Sequence, residues 1–257
     1  MPKEKTFRAL VVREVAVGES DKLLTALAEG IGKLTIICKG VRNIKSQRLA
    51  STQLFCYDEF TVSQRNEMYY LKEASLIENF YTIREDIESL ALAEYICDAV
   101  GEVSLEGAEG ESDGILSLAL NTLYMISKKS RPLLFIKSVF EMRLCSIIGF
   151  EPYLDNCSVC GKETDSGVLD INGGVLICSD CILSEEITQS FVRAELSPAL
   201  LSALLYIVRA PSKRLFSFSL GEDEIQKLSE ICEKYFLARV EHGFDTLRFF
   251  NSLINLP

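Results

Sequence analysis

Hydrophobic and polar positions alternate along the first eighty residues. In Phe7-Arg8-Ala9-Leu10-Val11-Val12-Arg13-Glu14-Val15-Ala16-Val17, positions 7, 9, 11, 15 and 17 are apolar. Period two places such residues on one face of a strand. A second apolar run covers Leu23 to Ala28. The β-branched run Leu34-Thr35-Ile36-Ile37-Cys38-Lys39 is introduced by Gly30 and Gly32 and closed by Gly40. Leu54 to Ser63 and Met68 to Ile77 form two more, joined by the polar turn Gln64-Arg65-Asn66-Glu67. Five short strands punctuated by turn residues predict a small barrel. No long helical pattern lies between Gly18 and Gly40, which weighs against a parallel strand-helix-strand arrangement.

From Tyr81 the period becomes helical. Ile87, Leu90, Ala91, Tyr95 and Val100 mark a helix over 84–103, which the acidic, glycine-rich stretch Glu106-Gly107-Ala108-Glu109-Gly110-Glu111 ends. A second helix is predicted over about 113–128. A third runs from Pro132 to Ile148, with Ile136, Val139, Phe140, Leu144 and Ile147 as its apolar stripe; proline suits its first turn and Gly149 its end. Residues 150–190 lose the helical period and become rich in Cys, Gly and Asp. Helices resume at Ser197-Pro198, a favourable cap and first residue. The last begins after Gly221, where Glu222, Asp223 and Glu224 suit the positive end of the helix dipole. The reading is therefore an α+β multidomain chain: a β-barrel over 1–80, then a helical domain over 81–257 with an insertion at about 150–190.

Composition narrows the class. The 257 residues are 48% hydrophobic and 25% charged, ordinary for a globular protein. No apolar run approaches the ~18–20 residues of a membrane span. The stretch Met1-Pro2-Lys3-Glu4-Lys5 lacks the apolar segment of a signal peptide, so a cytoplasmic location without membrane partners is expected. The formal net charge of −10 argues at first against nucleic acid. Its distribution is uneven, however: residues 1–80 balance at +2 and the remainder at −12. Any polyanion contact is expected in the head of the chain.

Nine cysteines change the picture further. Cys38, Cys56, Cys97, Cys145 and Cys232 sit singly in apolar patterns, as small buried hydrophobes do. The other four form Cys157-Ser-Val-Cys160-Gly161 and Cys178-Ser-Asp-Cys181. Two CxxC knuckles at this separation match a structural zinc site. Two thiolates three residues apart on a tight turn bind one side of a metal, and a second such turn completes the tetrahedron. Gly161 relieves crowding where the first turn reverses. The segments 167–169 and 173–177 read as a hairpin between the knuckles. A redox role would need a βαβ context, which is absent. Four thiolates also leave no open coordination position, so the expected zinc ion, bound by Cys157, Cys160, Cys178 and Cys181, is structural. The lone histidine, His242, is placed on a C-terminal helix away from this cluster.

Between Glu29 and Asp58 there is no acidic residue, while Lys33, Lys39, Arg42, Lys45 and Arg48 all fall there. Cations so placed would neutralise phosphates and release counterions. Tyr57, Phe60, Tyr69 and Tyr70 on neighbouring strands could offer faces to bases. The competing reading is a solvated loop beside an ordinary barrel core. Catalytic motifs are lacking: no GxSxG, no GxxxxGK loop and no HExxH. The chain is expected not to be an enzyme.

The order of these pieces resembles the RecO family of bacterial recombination mediators. The resemblance lies in Gly18-Glu19-Ser20-Asp21-Lys22-Leu23-Leu24, Gly30-Ile31-Gly32-Lys33-Leu34, Lys39-Gly40-Val41-Arg42, Phe140-Glu141-Met142-Arg143-Leu144 through Gly149-Phe150-Glu151-Pro152, and the four cysteines with Gly173-Gly174 between them. It implies an antiparallel OB-type barrel and a helical domain with a zinc finger. It implies binding to single- and double-stranded DNA, strand annealing, and partnership with RecR. It further implies recognition of the acidic tail of single-strand-binding protein, help in loading RecA, and association with the nucleoid. The basic Lys-Ser patch of the family's C-terminal helix is replaced here by Gly243-Phe244-Asp245-Thr246-Leu247-Arg248. Two other classes stay open on the residues alone: a zinc-ribbon transcription regulator and a zinc-stabilised nucleotide hydrolase. Against the regulator stands the finger's charge, with only Lys162 among many carboxylates over 150–190.

Overall fold

The computed structural model describes residues 3–65, 68–107, 112–183 and 192–254. The chain divides into two compact units, Met1–Ser130 with Phe244–Pro257, and Arg131–Gly243.

The first unit is built on five strands: β1 (Lys3–Val17), β2 (Asp21–Ala28), β3 (Gly32–Cys38), β4 (Tyr57–Arg65) and β5 (Met68–Glu78). They close into a barrel in the order β1-β2-β3-β5-β4. All pairings are antiparallel except β3 with β5, which run parallel. The alternation seen in the sequence becomes the interior: Phe7, Ala9 and Val11 meet Leu24, Ala26, Leu34, Ile36, Phe60 and Val62. Val15 and Val17 do not follow them; both are exposed. The register of β1 against β2 shifts between Val11 and Arg13, so one extra residue reverses the facing of the rest of the strand. Glu14 then lies on the face that Leu24 occupies, and it pairs with Lys22 at 2.5 Å.

Three helices complete this unit: α1 (Ile87–Val103), α2 (Asp113–Lys128) and, after the whole second unit, α7 (Asp245–Ile254). Asp86 caps α1 by accepting from the Ser89 amide. The predicted start at 84 is instead a 3-10 turn, Tyr81–Glu85. The acidic residues at 108–111 lie outside the described residues. The sequence reading ended with a single helix after Gly221, whereas Glu241 adopts φ 51 and separates two helices. His242 therefore sits in the connection, not on a helix. Phe244 then packs edge-on against Tyr95 at 5.6 Å, and the Thr246 hydroxyl donates to Asp98.

The second unit contains α3 (Leu133–Ile147), β6 (Gly167–Asp170), β7 (Val175–Ile177), α4 (Ser179–Leu183), β8 (Arg193–Leu196), α5 (Pro198–Arg209) and α6 (Glu222–Val240). Pro132 precedes α3 and Ser197 caps α5, as their positions suggest. α3 is buried on almost every side over residues 135–142, so its pattern is broader than one stripe. Lys137, fully buried, is held by Glu141 at 3.2 Å and Glu233 at 2.8 Å, with the Ser229 hydroxyl at 3.1 Å. The hairpin β6–β7 gains a third strand, β8, that the sequence did not indicate. The five isolated cysteines are all buried, as expected. No described helix is long and apolar enough to cross a membrane.

Candidate metal centre and nucleic-acid interface

The hairpin brings the two knuckles together. The Cys157 amide donates to the Lys162 carbonyl, and the Gly161 amide returns to the Cys157 carbonyl. Gly161 has φ 71, the left-handed conformation that glycine adopts without penalty, so the first knuckle reverses there. The second knuckle runs into α4, with the Cys181 amide bonded to the Cys178 carbonyl. Gly167 makes the close approach possible: a Cβ there would lie 2.3 Å from the Ile177 carbonyl oxygen.

The four sulfurs of Cys157, Cys160, Cys178 and Cys181 all lie within 4.8 Å of one another. Cys160 and Cys178 are separated by 3.8 Å. A tetrahedron of thiolates about 2.3 Å from a central zinc has edges of about 3.8 Å, so the donor set fits that ion. Burial opposes charge on Cys157, yet amides of Cys178, Cys160 and Val159 outweigh it and bring the thiol down to about 6. Cys181, bonded to the sulfurs of Cys178 and Cys160, is pushed up to about 12. A divalent cation removes this competition for protons, because coordinated thiols are deprotonated.

The cluster is anchored to α6. Arg239 donates to the carbonyls of Asn172 and Ile171, and its guanidinium stacks on Tyr235 at 4.4 Å. Tyr235 itself donates to the Phe150 carbonyl.

The basic segment is an ordered loop beside the β1–β2 turn. The Gly40 amide donates to the Asp21 carboxylate, holding that carboxyl below its ordinary value, and the Arg42 amide donates to the Ser20 carbonyl. The Arg42 side chain reaches the Gly18 carbonyl at 2.7 Å while remaining exposed. Val41 is buried in the barrel core and pins the loop from below. Lys39 and Lys45 are exposed.

The five sequence-predicted cations are not equivalent. Lys33 donates to the Gly101 carbonyl at 2.8 Å, where a cation suits the C-terminal end of α1. Arg48 spans the carbonyls of Leu71, Lys72 and Lys39, each at 3.3 Å. These two brace the barrel, leaving Lys39, Arg42 and Lys45 outermost.

Other cations join them. Lys39 and Arg65 both stack on Tyr70, at 5.8 and 5.9 Å, and Lys5 stacks on Tyr69 at 5.5 Å. Lys5, Arg65 and the exposed Lys72 had escaped the sequence reading. They come from distant segments that barrel closure aligns: Lys5 pairs with Val62, Arg65 with Met68, and Tyr70 with Ile37. The aromatic residues also divide. Phe60 is wholly buried in the barrel. Tyr57 lies at the other end of β4, bonded to Glu29. Tyr69 and Tyr70 use their rings to seat cations.

Comparison with known proteins decides the family. Residues 1–80 match the model of the recombination protein O N terminal domain, and residues 84–248 match that of its C terminal domain. The chain belongs to the RecO family. Its relatives include the DNA repair protein RecO of Acetivibrio thermocellus, 35% identical over 245 residues and covering 95% of each chain. Those of a Thermoanaerobacter species and of Clostridium acetobutylicum are 26% and 27% identical, covering 96% and 93% of this chain and 97% and 95% of their own. These RecO descriptions name recombination and repair, and no catalytic activity. The closed barrel in this strand order, followed by helices, is the OB-type architecture the resemblance implied.

Proposed function

We propose that this RecO-family chain is a non-enzymatic recombination mediator acting in the cytoplasm on the nucleoid. It binds single- and double-stranded DNA through the barrel and anneals complementary strands. It joins RecR, recognises the acidic tail of single-strand-binding protein, and thereby helps RecA load onto coated strands. The observation that carries the DNA reading is the convergence of Lys39, Arg42 and Lys45, on one ordered loop, with Lys5 and Arg65 seated on Tyr69 and Tyr70. OB folds hold oligonucleotides beside this same β1–β2 turn and along the neighbouring strands.

Annealing needs no covalent step, only two strands held close with their repulsion reduced. A local cationic face serves a chain of net charge −10, because repulsion from the rest is screened beyond ~8 Å at physiological salt. Lys33 and Arg48 hold the barrel that presents this face. Cys157, Cys160, Cys178 and Cys181 would hold one zinc ion, which supplies a crosslink within the finger and no reaction step.

The test is titration of fluorescent single-stranded DNA at several salt concentrations. Arg42→Ala with Lys45→Ala should lower the salt-dependence slope by roughly 1.5–2 units, about one counterion per side chain. The loss should be similar for all sequences, since phosphates carry no base information. An unchanged slope in a folded double variant would overturn the assignment. For the partner, calorimetry with an acidic C-terminal peptide of single-strand-binding protein should detect binding at on the order of tens of micromolar; its absence there would remove that part of the reading.

A further inference from the structure

The loop carries one residue that phosphate binding does not explain. Ile44, between Arg42 and Lys45, is 92% exposed, the most exposed large hydrophobic side chain among the described residues. The backbone around it is fixed. The Asn43 amide donates to the Gly40 carbonyl, the Ser46 amide to the Asn43 carbonyl, and the Leu49 amide to the Ser46 carbonyl. The Asn43 side chain also accepts from the Lys45 amide. Ile44 is thus presented on a built turn, and it makes no contribution to the core. Keeping an isoleucine in water has no folding advantage, and cations on either side would draw a polyanion to it.

We propose that Ile44 contacts unpaired bases, giving the loop a preference for strands whose bases are out of the stack. The inference rests on the DNA reading of this loop. Duplex bases are hidden in the stack and in grooves, whereas a single strand offers its base faces to an apolar side chain. The tyrosines nearby cannot serve equally, because Tyr69 and Tyr70 already seat Lys5, Lys39 and Arg65. Phosphate attraction and base contact therefore fall to different side chains of one loop.

Two substitutions test this on the full chain. Ile44→Ser should weaken single-strand binding by about fivefold, near the lower limit for losing one aromatic base contact, since an aliphatic side chain offers no ring to stack on. Duplex affinity should stay the same, and so should the salt slope, since no charge is removed. Ile44→Trp places a unique indole in a chain without tryptophan. Its fluorescence should be quenched by single-stranded DNA and much less by duplex of equal length. Wild-type single-strand affinity in the Ile44→Ser variant overturns the proposal, as does equal loss on both substrates. The Arg42→Ala, Lys45→Ala variant separates the two readings. If its salt slope falls while Ile44→Ser is silent, only the base contact is wrong. If neither variant changes binding, the loop is not the DNA surface at all.

Discussion

Two buried charges behave in opposite ways because one has partners and the other lacks them. Asp58, on β4, is fully buried, and neither carboxyl oxygen finds a well-formed hydrogen bond among the described residues. Burial pushes its carboxyl up to about 6, with the Ser51 hydroxyl giving partial relief. The folded chain then holds this proton more tightly than the unfolded chain, whose carboxyl titrates near 3.8. Its contribution to stability falls as pH rises between those values and stays low above them. Asp58→Asn should therefore stabilise the barrel more at pH 7.5 than at pH 4.5, by about 2 kcal/mol, as thermal unfolding at the two pH values would reveal. Lys137 faces Glu141 and Glu233 instead. Burial opposes its charge, but the two carboxylates prevail and hold the ammonium above its ordinary value. Lys137→Met leaves Glu141 without its cation and should cost about 3–5 kcal/mol in denaturant unfolding. Replacing Lys137 and Glu141 together by apolar residues should cost less, because no fully buried charge is then stranded and the partly exposed Glu233 can turn to water.

At the level of elements, the finger is a short hairpin with four clustered sulfurs, which a zinc ion would crosslink. One zinc per chain is expected by elemental analysis. Cys157→Ser, or chelation, should speed amide exchange over 150–183 and leave the barrel amides as they are. This part was legible because ligand spacing is local: three residues within each knuckle and a hairpin between them suffice. The barrel strands were legible for a similar reason, since alternation reports burial directly. Val15 and Val17 misled because a one-residue register shift leaves the apolar pattern intact while reversing its direction. Lys5 and Arg65 were hidden because their neighbourhood with Tyr69 and Tyr70 exists only after closure. The signal that joins them is the OB strand order, which sets the start of β1 beside the end of β4. That Lys33 and Arg48 also reach backbone carbonyls could not be read from the sequence, because no residue type reveals such partners. β8 is only four residues long, too short for alternation to register.

For the whole molecule, the chain path matters as much as the two units it forms. The first unit uses residues from both ends, and α7 reaches α1 only after the second unit has been traversed. Ending the chain at Gly243 would uncover Tyr95 and strip Asp98 of Thr246. Such a truncation should lower the melting temperature of the barrel unit and weaken DNA binding, while zinc content stays at that of the full chain.

The same path sets a timetable on the ribosome. Synthesis runs from the first residue to the last, so the second unit emerges entire before the helix that seals the first. The barrel and α1 must wait through the making of 113 residues with one apolar face still bare. A nascent chain that has reached Gly243 still lacks α7, so its first unit is unfinished although its barrel strands were made long before. The first unit is complete only once residues 245–254 have been made.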